Sequence, residues 1–498
     1  PHFAGALSRD MSDSIAAVLV TFDWIVIGYF LVLNTSYLVL LIAATADVLS
    51  HLRRVEFAGH EDIFANPLTP PVSVIVPAHN EERGIEESVR SLLALRYPRF
   101  EVVVVDDGSS DHTFDVLANT FDLVEIPRAA TDEVPAIGDV LSTHVPRHGQ
   151  PLVVVRKVGA GTKTDALNVG INAAQFPLVC MIDADALLEE SALLRVAKPF
   201  VDDPVRVIAT GGVIRVANGS TVERGRVTDI RMPKAWLARI QIVEYLRAFF
   251  LGRAGWSRLN GLVVISGAFG LFRRDLIVEL GGLDPETIGE DAELVFRAHR
   301  LCREQGRDYR IVFVPDPVCW TEVPSTWAVL GRQRRRWSRG LAEILFKHRK
   351  MIFRPRYGRI GLVVVPFFLL FELLSPLVEL VGLFAILVGL AFGLVDASFA
   401  LLFAAVAFAY ALLLSAAALL VEDLFFHRYS RWRDLGAVFV ASILENFYYR
   451  QFGSFARLQG IWAAARGHGH EWGVMTRSGF TVAKETSETT WEQREEPP

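Results

Sequence analysis

The sequence predicts an α/β protein. Its soluble part is a mostly parallel sheet with flanking helices, attached to transmembrane α-helices and to α-helices lying at a membrane interface. Three observations carry this. Runs rich in β-branched residues recur, each followed by a polar cluster: Val72-Ser-Val-Ile-Val-Pro77, Phe100-Glu-Val-Val-Val-Val105, Leu152-Val-Val-Val-Arg156 and 178–182. Continuous apolar strands alternating with helical segments are those of a parallel sheet covered on both faces. Long apolar stretches lie near both ends of the chain. The composition fits both parts: 498 residues, 51% hydrophobic, with a mean hydropathy of +0.32. A soluble domain of roughly 250–300 residues with a few membrane helices accounts for these values.

Taken in order, residues 15–49 are mostly apolar, interrupted by Asp23, Asn34 and Asp47. About 20 residues, near 24–44, suffice to cross a bilayer. Basic groups flank the central region: His51-Leu-Arg-Arg54 before it, and Lys347-His-Arg-Lys350 with Arg354–Arg359 after it. The positive-inside rule then makes this region cytoplasmic. The block 360–421 is long enough for two crossings, about 360–392 and 397–421. Glu372 and Glu379 within it are costly in lipid, so they are expected to face protein or a polar cavity, with solvation at the interface as the alternative. The basic loop 427–433 returns the chain to the cytoplasm. The stretch 435–444 is short and runs into Glu445 and Arg450, so interfacial and crossing readings both stay open.

Segments 235–256 and 337–353 mix apolar and basic residues. They suit helices on a membrane surface, or equally the core-packing helices of a soluble domain. The organisation expected is a transmembrane region at 1–50, a linker at 51–70 and a cytoplasmic domain at 71–345 with an interfacial helix at about 235–256. A basic interfacial segment at 346–360, transmembrane and interfacial helices at 361–455 and a tail at 456–498 complete it. The net charge of −5 gives no sign of a nucleic-acid partner. Cys180, Cys302 and Cys319 lie far apart and read as reduced thiols. No cleaved signal peptide is expected from the first residues.

Asp183-Ala-Asp185 ends the fourth apolar run. Carboxylates at i and i+2 on a strand point to the same side and can hold a hard divalent cation. Alone this is a weak signal, since a solvated strand end looks the same. It gains weight because 77–82, 106–111 and 183–185 all fall at carboxyl ends of strands, where ligands of such sheets bind. The polar segment 129–150 is read as an insertion without a function. Glu290-Asp-Ala-Glu293 alone is an acidic first helical turn favoured by the dipole. The run Arg332–Arg339 alone is a membrane-surface anchor, with Arg334 and Arg335 the better anchor residues. Ser266-Gly-Ala-Phe-Gly270 would let a ligand approach the backbone.

In this order, Val74-Ile-Val-Pro-Ala-His-Asn-Glu-Glu82, Val103-Val-Val-Asp-Asp-Gly-Ser-Ser-Asp111, Lys163-Thr-Asp-Ala-Leu-Asn168, Asp183-Ala-Asp185, Gly289-Glu-Asp291 and Gln333-Arg-Arg-Arg-Trp337 resemble the motifs of family 2 inverting glycosyltransferases. The subgroup resembled is the membrane-embedded processive synthases of cellulose, chitin, hyaluronan and poly-N-acetylglucosamine, with Q-x-x-R-W the most specific element. The resemblance implies a GT-A-type, Rossmann-like fold. It implies a nucleotide-sugar donor, expected to be UDP-linked, Mg²⁺ or Mn²⁺ as cofactor, and a growing β-glycan as acceptor. It also implies a multi-pass protein of the inner cell membrane, with a second membrane or periplasmic subunit as a candidate partner.

Carried over residue by residue, Asp291 is the expected general base with Glu290 orienting it. Ala78, Glu81, Asp106 or Asp107, Lys163, Asp183 and Arg336 are expected at the donor, and Asp185 with Asp183 at the metal. Gln333, Trp337, Gly267, Ala268 and Phe269 are expected at the acceptor. The departures are Gly289 for the usual threonine before the two acids, and a tail that only approximates known gating motifs. In that tail Trp472, Thr476 and Arg477 are the gating candidates, and Phe480–Lys484 approximates F-x-V-T-x-K. The chief rival is transfer of a single sugar to a lipid, which needs no channel. A non-catalytic binding subunit is disfavoured by the retained Asp185, Asp291 and Arg336. A transporter is disfavoured because internal repeats are lacking.

Overall fold

The computed structural model describes residues 9–57, 64, 66–67, 69–127, 131–223, 225–393, 395–426, 432–467 and 481–482. After the N-terminal helix α1 (Arg9–Phe57), the chain enters β1 (Val72–Ala78), α2 (Ile85–Leu93), β2 (Phe100–Asp107), α3 (Thr113–Phe121), β3 (Leu123–Ile126), β4 (Val140–Pro146) and β5 (Leu152–Lys157). It continues through α4 (Lys163–Ala173), β6 (Leu178–Met181), β7 (Leu187–Leu188), α5 (Ala192–Asp202), β8 (Val207–Val216), β9 (Thr221–Glu223) and β10 (Arg226–Asp229). Then come α6 (Trp236–Leu246), β11 (Gly270–Arg273), α7 (Arg274–Glu279), α8 (Glu290–Glu304), β12 (Arg310–Thr321) and α9 (Trp327–Lys347).

Ten strands form one sheet in the order β3-β4-β5-β2-β1-β6-β11-β8-β12-β7. The centre is parallel: β1 pairs with β2 and β6, and β2 with β5. Every residue of β1 and β8 is buried, as the two-faced helical cover of a parallel sheet requires. Helix α4 packs so closely on β1 that a Cβ at Gly170 would lie 2.3 Å from Ile75 Cγ2. The order reverses between β1 and β6, where chain connections leave in opposite directions. This is the kind of switch point that opens a ligand crevice at the strand ends.

The segment 129–150 is more than an insertion. Its second half is β4, an edge-side strand antiparallel to both β3 and β5. Its first half caps α4, with Ile137 and Gly138 N–H donating to Asp165 at 2.6 and 3.2 Å.

Among the described residues two helices are long and apolar enough to cross a membrane, through Trp24–Ser50 of α1 and Ala400–Ala417 of α11 (Ala397–Phe426). A third candidate is broken: Ile360–Leu373 meets α10 (Ser375–Ala391) at a bend of 43°. Pro376, in the first turn of α10, cannot donate a backbone hydrogen bond to the preceding turn, which accounts for the bend. The C-terminal pair α12 (Trp432–Leu444) and α13 (Arg450–Arg466) is separated by Glu445–Tyr449, where Phe447 leaves the helical region at φ −89°, ψ −141°.

Glu372 and Glu379, the two acids of the broken candidate span, face protein, and α13 supplies their partners. Glu379 takes Arg450 and the Ser454 hydroxyl, the latter at 2.8 Å. Glu372 lies 3.7 Å from Arg457.

The segment 235–256 packs most of its apolar residues against protein, with Trp236 left exposed. Leu237, Ile240, Ile242, Val243, Leu246, Phe249 and Phe250 are all buried. At its C-terminal end the backbone touches α1, where a Cβ on Gly255 would sit 2.7 Å from Leu40 O. Its apolar face is covered by protein. Composition alone does not separate that from lipid.

Thr481–Val482 (β13) pairs in parallel with Thr221–Val222 of β9, joining β10 in a second small sheet.

Candidate active site

The carboxyl ends of β1 and β2 are tied together by their loops. Asn80, at φ 57°, accepts from the N–H groups of Ser110 (2.8 Å) and Asp111 (3.3 Å). Glu82 N–H donates to Asp111, and Glu81 N–H to Thr113 Oγ1. Gly108 (φ 62°) lets these loops meet the one after β5, because a Cβ there would be 2.7 Å from Gly159 N. Asp106, buried and in register with Ala78, accepts from Ser109 N–H, and Arg156 approaches it at 3.7 Å.

The Asp107 side chain is buried. It forms a fully enclosed ion pair with Lys157, which also holds Asp165 at 2.8 Å. Ala78 is also fully enclosed. Successive residues of a strand point to opposite faces, and here one of the two carboxylates meets a buried lysine.

The reacting end lies beyond β6. Lys163 opens α4, whose N-cap Thr162 accepts from Asp165 N–H. Its ammonium pairs with Asp183, and Glu290 at the start of α8 stands 3.4 Å away. Burial disfavours the charged Lys163, but Asp183, Glu290 and Asp291 outweigh it, and its pKa is raised. Burial pushes the Glu290 carboxyl above its ordinary value, against the pull of Lys163 and with the repulsion of Asp291.

Asp291 is held at both oxygens by backbone: Gly267 N–H donates to Oδ2 at 2.7 Å, and Ala292 N–H to Oδ1 at 2.8 Å. Thus Gly267 of the small-residue stretch bears on the expected base itself. A Cβ there would sit 3.2 Å from Asp291 Oδ2 and 3.4 Å from Lys163 Nζ. The space among Lys163, Gly267, Glu290 and Asp291 is about 10 Å³, enough for one water. Phe269 is fully buried and Ala268 nearly so, so neither side chain is presented to an acceptor.

Helix α9 carries the last motif. Arg336 is exposed and close enough to draw down the Glu290 pKa. Gln333 is buried, and among the described residues its side-chain oxygen has no hydrogen-bond partner. Trp337 is 44% exposed. Arg334 is not a membrane anchor. It is 6% exposed, bonded to Glu244 at 2.6 Å and stacked on Trp337 with its guanidinium carbon 4.5 Å from the ring centroid. Arg335 is exposed and bonds Gln459 of α13. Trp472, Thr476 and Arg477 lie outside the described residues.

The acids suit a hard cation. Asp183 and Asp185 stand just past the end of β6 and offer carboxylate oxygens. Among the described residues no group of three or more His, Cys, Asp or Glu side chains gathers to hold a metal. An ion here would share its coordination with phosphate and water, as Mg²⁺ commonly does.

The family model described as "Glycosyltransferase like family 2" matches residues 70–340, more than half of the chain. Among curated relatives, YdaM of Bacillus subtilis (strain 168), named a probable glycosyltransferase, is 29% identical over 58% of this chain and 60% of its own. A poly-beta-1,6-N-acetyl-D-glucosamine synthase of Staphylococcus aureus (strain COL) is 26% identical over 55% of this chain and 56% of its own. The chain thus spans three-fifths or less of the length of these relatives. Among solved structures, the mannosyltransferase PcManGT of Pyrobaculum calidifontis, in complex with GDP-Man and Mn²⁺, is 21% identical. It covers 84% of this chain and 99% of that one at a TM-score of 0.48. The chain belongs to glycosyltransferase family 2 and, among the described residues, carries helices long and apolar enough to span a membrane.

Proposed function

We propose that the protein is an inverting polysaccharide synthase of the membrane. It polymerises sugar from a UDP-linked donor into a β-linked glycan and helps move the product across the bilayer. The observation that carries this is the joining of Lys163, Asp183, Glu290 and Asp291 in one cluster beside α9. In the reaction an acceptor hydroxyl attacks the anomeric carbon, the bond from that carbon to the nucleoside diphosphate breaks, and configuration inverts. Asp291 takes the hydroxyl proton. Its two backbone hydrogen bonds fix the carboxylate without protonating it. Arg336 pairs with diphosphate oxygens. Lys163 exchanges Asp183 for phosphate when donor enters. Mg²⁺ or Mn²⁺ held by Asp183 and Asp185 would stabilise the diphosphate leaving group as a Lewis acid.

Acceptor sugar stacks on the exposed face of Trp337, with Gln333 donating or accepting at a hydroxyl. The membrane helices support processive rather than single transfer, because α13 links the catalytic helix α9 directly to α10. Basic residues at both borders of the catalytic domain support a cytoplasmic location in the inner membrane. The names of the staphylococcal relatives make N-acetylglucosamine the first sugar to offer.

The test is product formation by the lipid-reconstituted protein, given radiolabelled UDP- and GDP-sugars with Mg²⁺ or Mn²⁺. A high-mass product degraded by glycosidases is expected. A product of one sugar on a lipid would replace the synthase reading with the lipid-transferase one.

A further inference from the structure

The platform residue Trp337 is held from behind. Arg334, one helical turn earlier on α9, lies against its ring, since residues at i and i+3 are neighbours on a helix surface. The guanidinium is gripped by groups from two other elements. Glu244 of α6 accepts from Arg334 Nη2 at 2.6 Å, and Tyr449, at the break before α13, accepts from the same nitrogen at 3.2 Å. Tyr449 Oη also donates to Glu244 at 2.6 Å, which closes the triangle. The next residue, Arg450, is paired with Glu379 of α10. A planar guanidinium with restricted freedom makes a firm backing for an indole.

We propose that Arg334 is a positioning residue for sugar transfer. Clamped by Glu244 and Tyr449, it braces the inner face of Trp337 so that the outer face stays presented to the acceptor, and it ties that face to the break between α12 and α13. The acceptor part rests on the function proposed above; the bracing part does not. Arg334 itself touches no substrate. The helix break matters because Tyr449 is carried by it: a change in the angle between α12 and α13 moves the hydroxyl that steadies the brace.

The test uses the full-length protein in lipid nanodiscs, labelled with 5-fluorotryptophan, and needs no ligand for its first part. The ¹⁹F resonance of Trp337 is assigned by its loss in Trp337→Phe. In Tyr449→Phe, which keeps the ring and removes the hydroxyl, that resonance is expected to shift or broaden while the tryptophan lines other than that of Trp327, which packs on the Tyr449 ring, keep their places. Arg334→Lys, which keeps charge but loses the flat stack, should do the same more strongly. An unmoved Trp337 line in both variants overturns the bracing claim, whatever the substrate. Global change in every line would mark a merely structural role and also overturn it.

The second part measures transfer from UDP-N-acetylglucosamine to a β-1,6-linked N-acetylglucosamine oligosaccharide. Arg334→Lys should raise acceptor KM about tenfold, the order of a desolvated cation–π contact, with donor KM unchanged. In Trp337→Ala the same change should add nothing, because the two act as one unit. A shifted line with unchanged acceptor KM would keep the brace and remove Trp337 from acceptor binding.

Discussion

Lys163 and Glu290 stand 3.4 Å apart across the junction of two helix N-termini, α4 and α8, with Asp183 on the other side of the ammonium. One lysine thus serves the three acids Asp183, Glu290 and Asp291. Arg253 bears on Asp291 and Arg336 on Glu290, so the acids share three cationic side chains in a mostly buried place.

Lys163→Met removes the ammonium that pairs with Asp183 and Glu290. Donor KM is expected to rise about tenfold or more, the scale of one charge-assisted contact to phosphate, while the folded state persists because Asp183 is partly open to water. Steady-state kinetics over donor concentration checks this. An unchanged donor KM would return Lys163 to a purely electrostatic role inside the protein.

Glu290 gives a pH dependence of stability. Its folded pKa lies above the unfolded value of about 4.3. The folded state therefore binds the proton more tightly. The stabilisation that follows is complete below the unfolded value and is lost as pH rises through the folded one. Glu290→Gln stays neutral at every pH. Its melting temperature relative to the native protein should rise from about pH 4 to about pH 7, together with a loss of activity. Thermal unfolding across that range is the measurement, and a constant difference contradicts it.

Lys157→Met leaves Asp107 and Asp165 as buried carboxylates without their partner. Breaking such a buried ion set costs about 3–5 kcal/mol. Thermal unfolding should fall sharply and donor binding by the surviving folded fraction should be retained. A donor-binding defect at full stability would restore Asp107 to the nucleoside site.

The pairing of β13 with β9 places Thr481 beside the catalytic domain. Residues 465 and 110 should then be reached from the same side of the membrane. Ala465→Cys and Ser110→Cys test this with a membrane-impermeant maleimide on sealed vesicles, because Cys180, Cys302 and Cys319 are buried. Labelling from opposite sides would put a crossing in α12 and α13.

Much of this molecule was readable before any fold was seen, for identifiable reasons. β1, β2, β5 and β6 are mostly apolar runs, the first three rich in β-branched residues, as strands buried on both faces favour. The acids at their ends followed from the same reading. The strand β4 escaped notice because it lies toward the sheet edge, and its exposed residues dilute the apolar signal. Asp107 and Asp106 are indistinguishable as letters; only the partner strand shows that Lys157 claims the first. Arg334 was hidden in a run of arginines that reads as surface charge. The spacing Leu330-Arg334-Ser338, one buried stripe at i, i+4 and i+8, was the available sign that it points inward. Phe269 was taken with its small neighbours, although a phenylalanine before a strand is more often core.

The most direct test of the account is the incorporation of radiolabelled sugar into high-mass product by the native protein and by Asp291→Asn, both reconstituted in lipid with donor and Mg²⁺ or Mn²⁺. The account predicts that Asn at 291, still able to accept from Gly267 N–H but unable to take a proton, lowers turnover by about 10²–10⁴-fold with donor affinity retained. Product formation at the native rate by Asp291→Asn would contradict it, since the hydroxyl proton would then have to leave by another group.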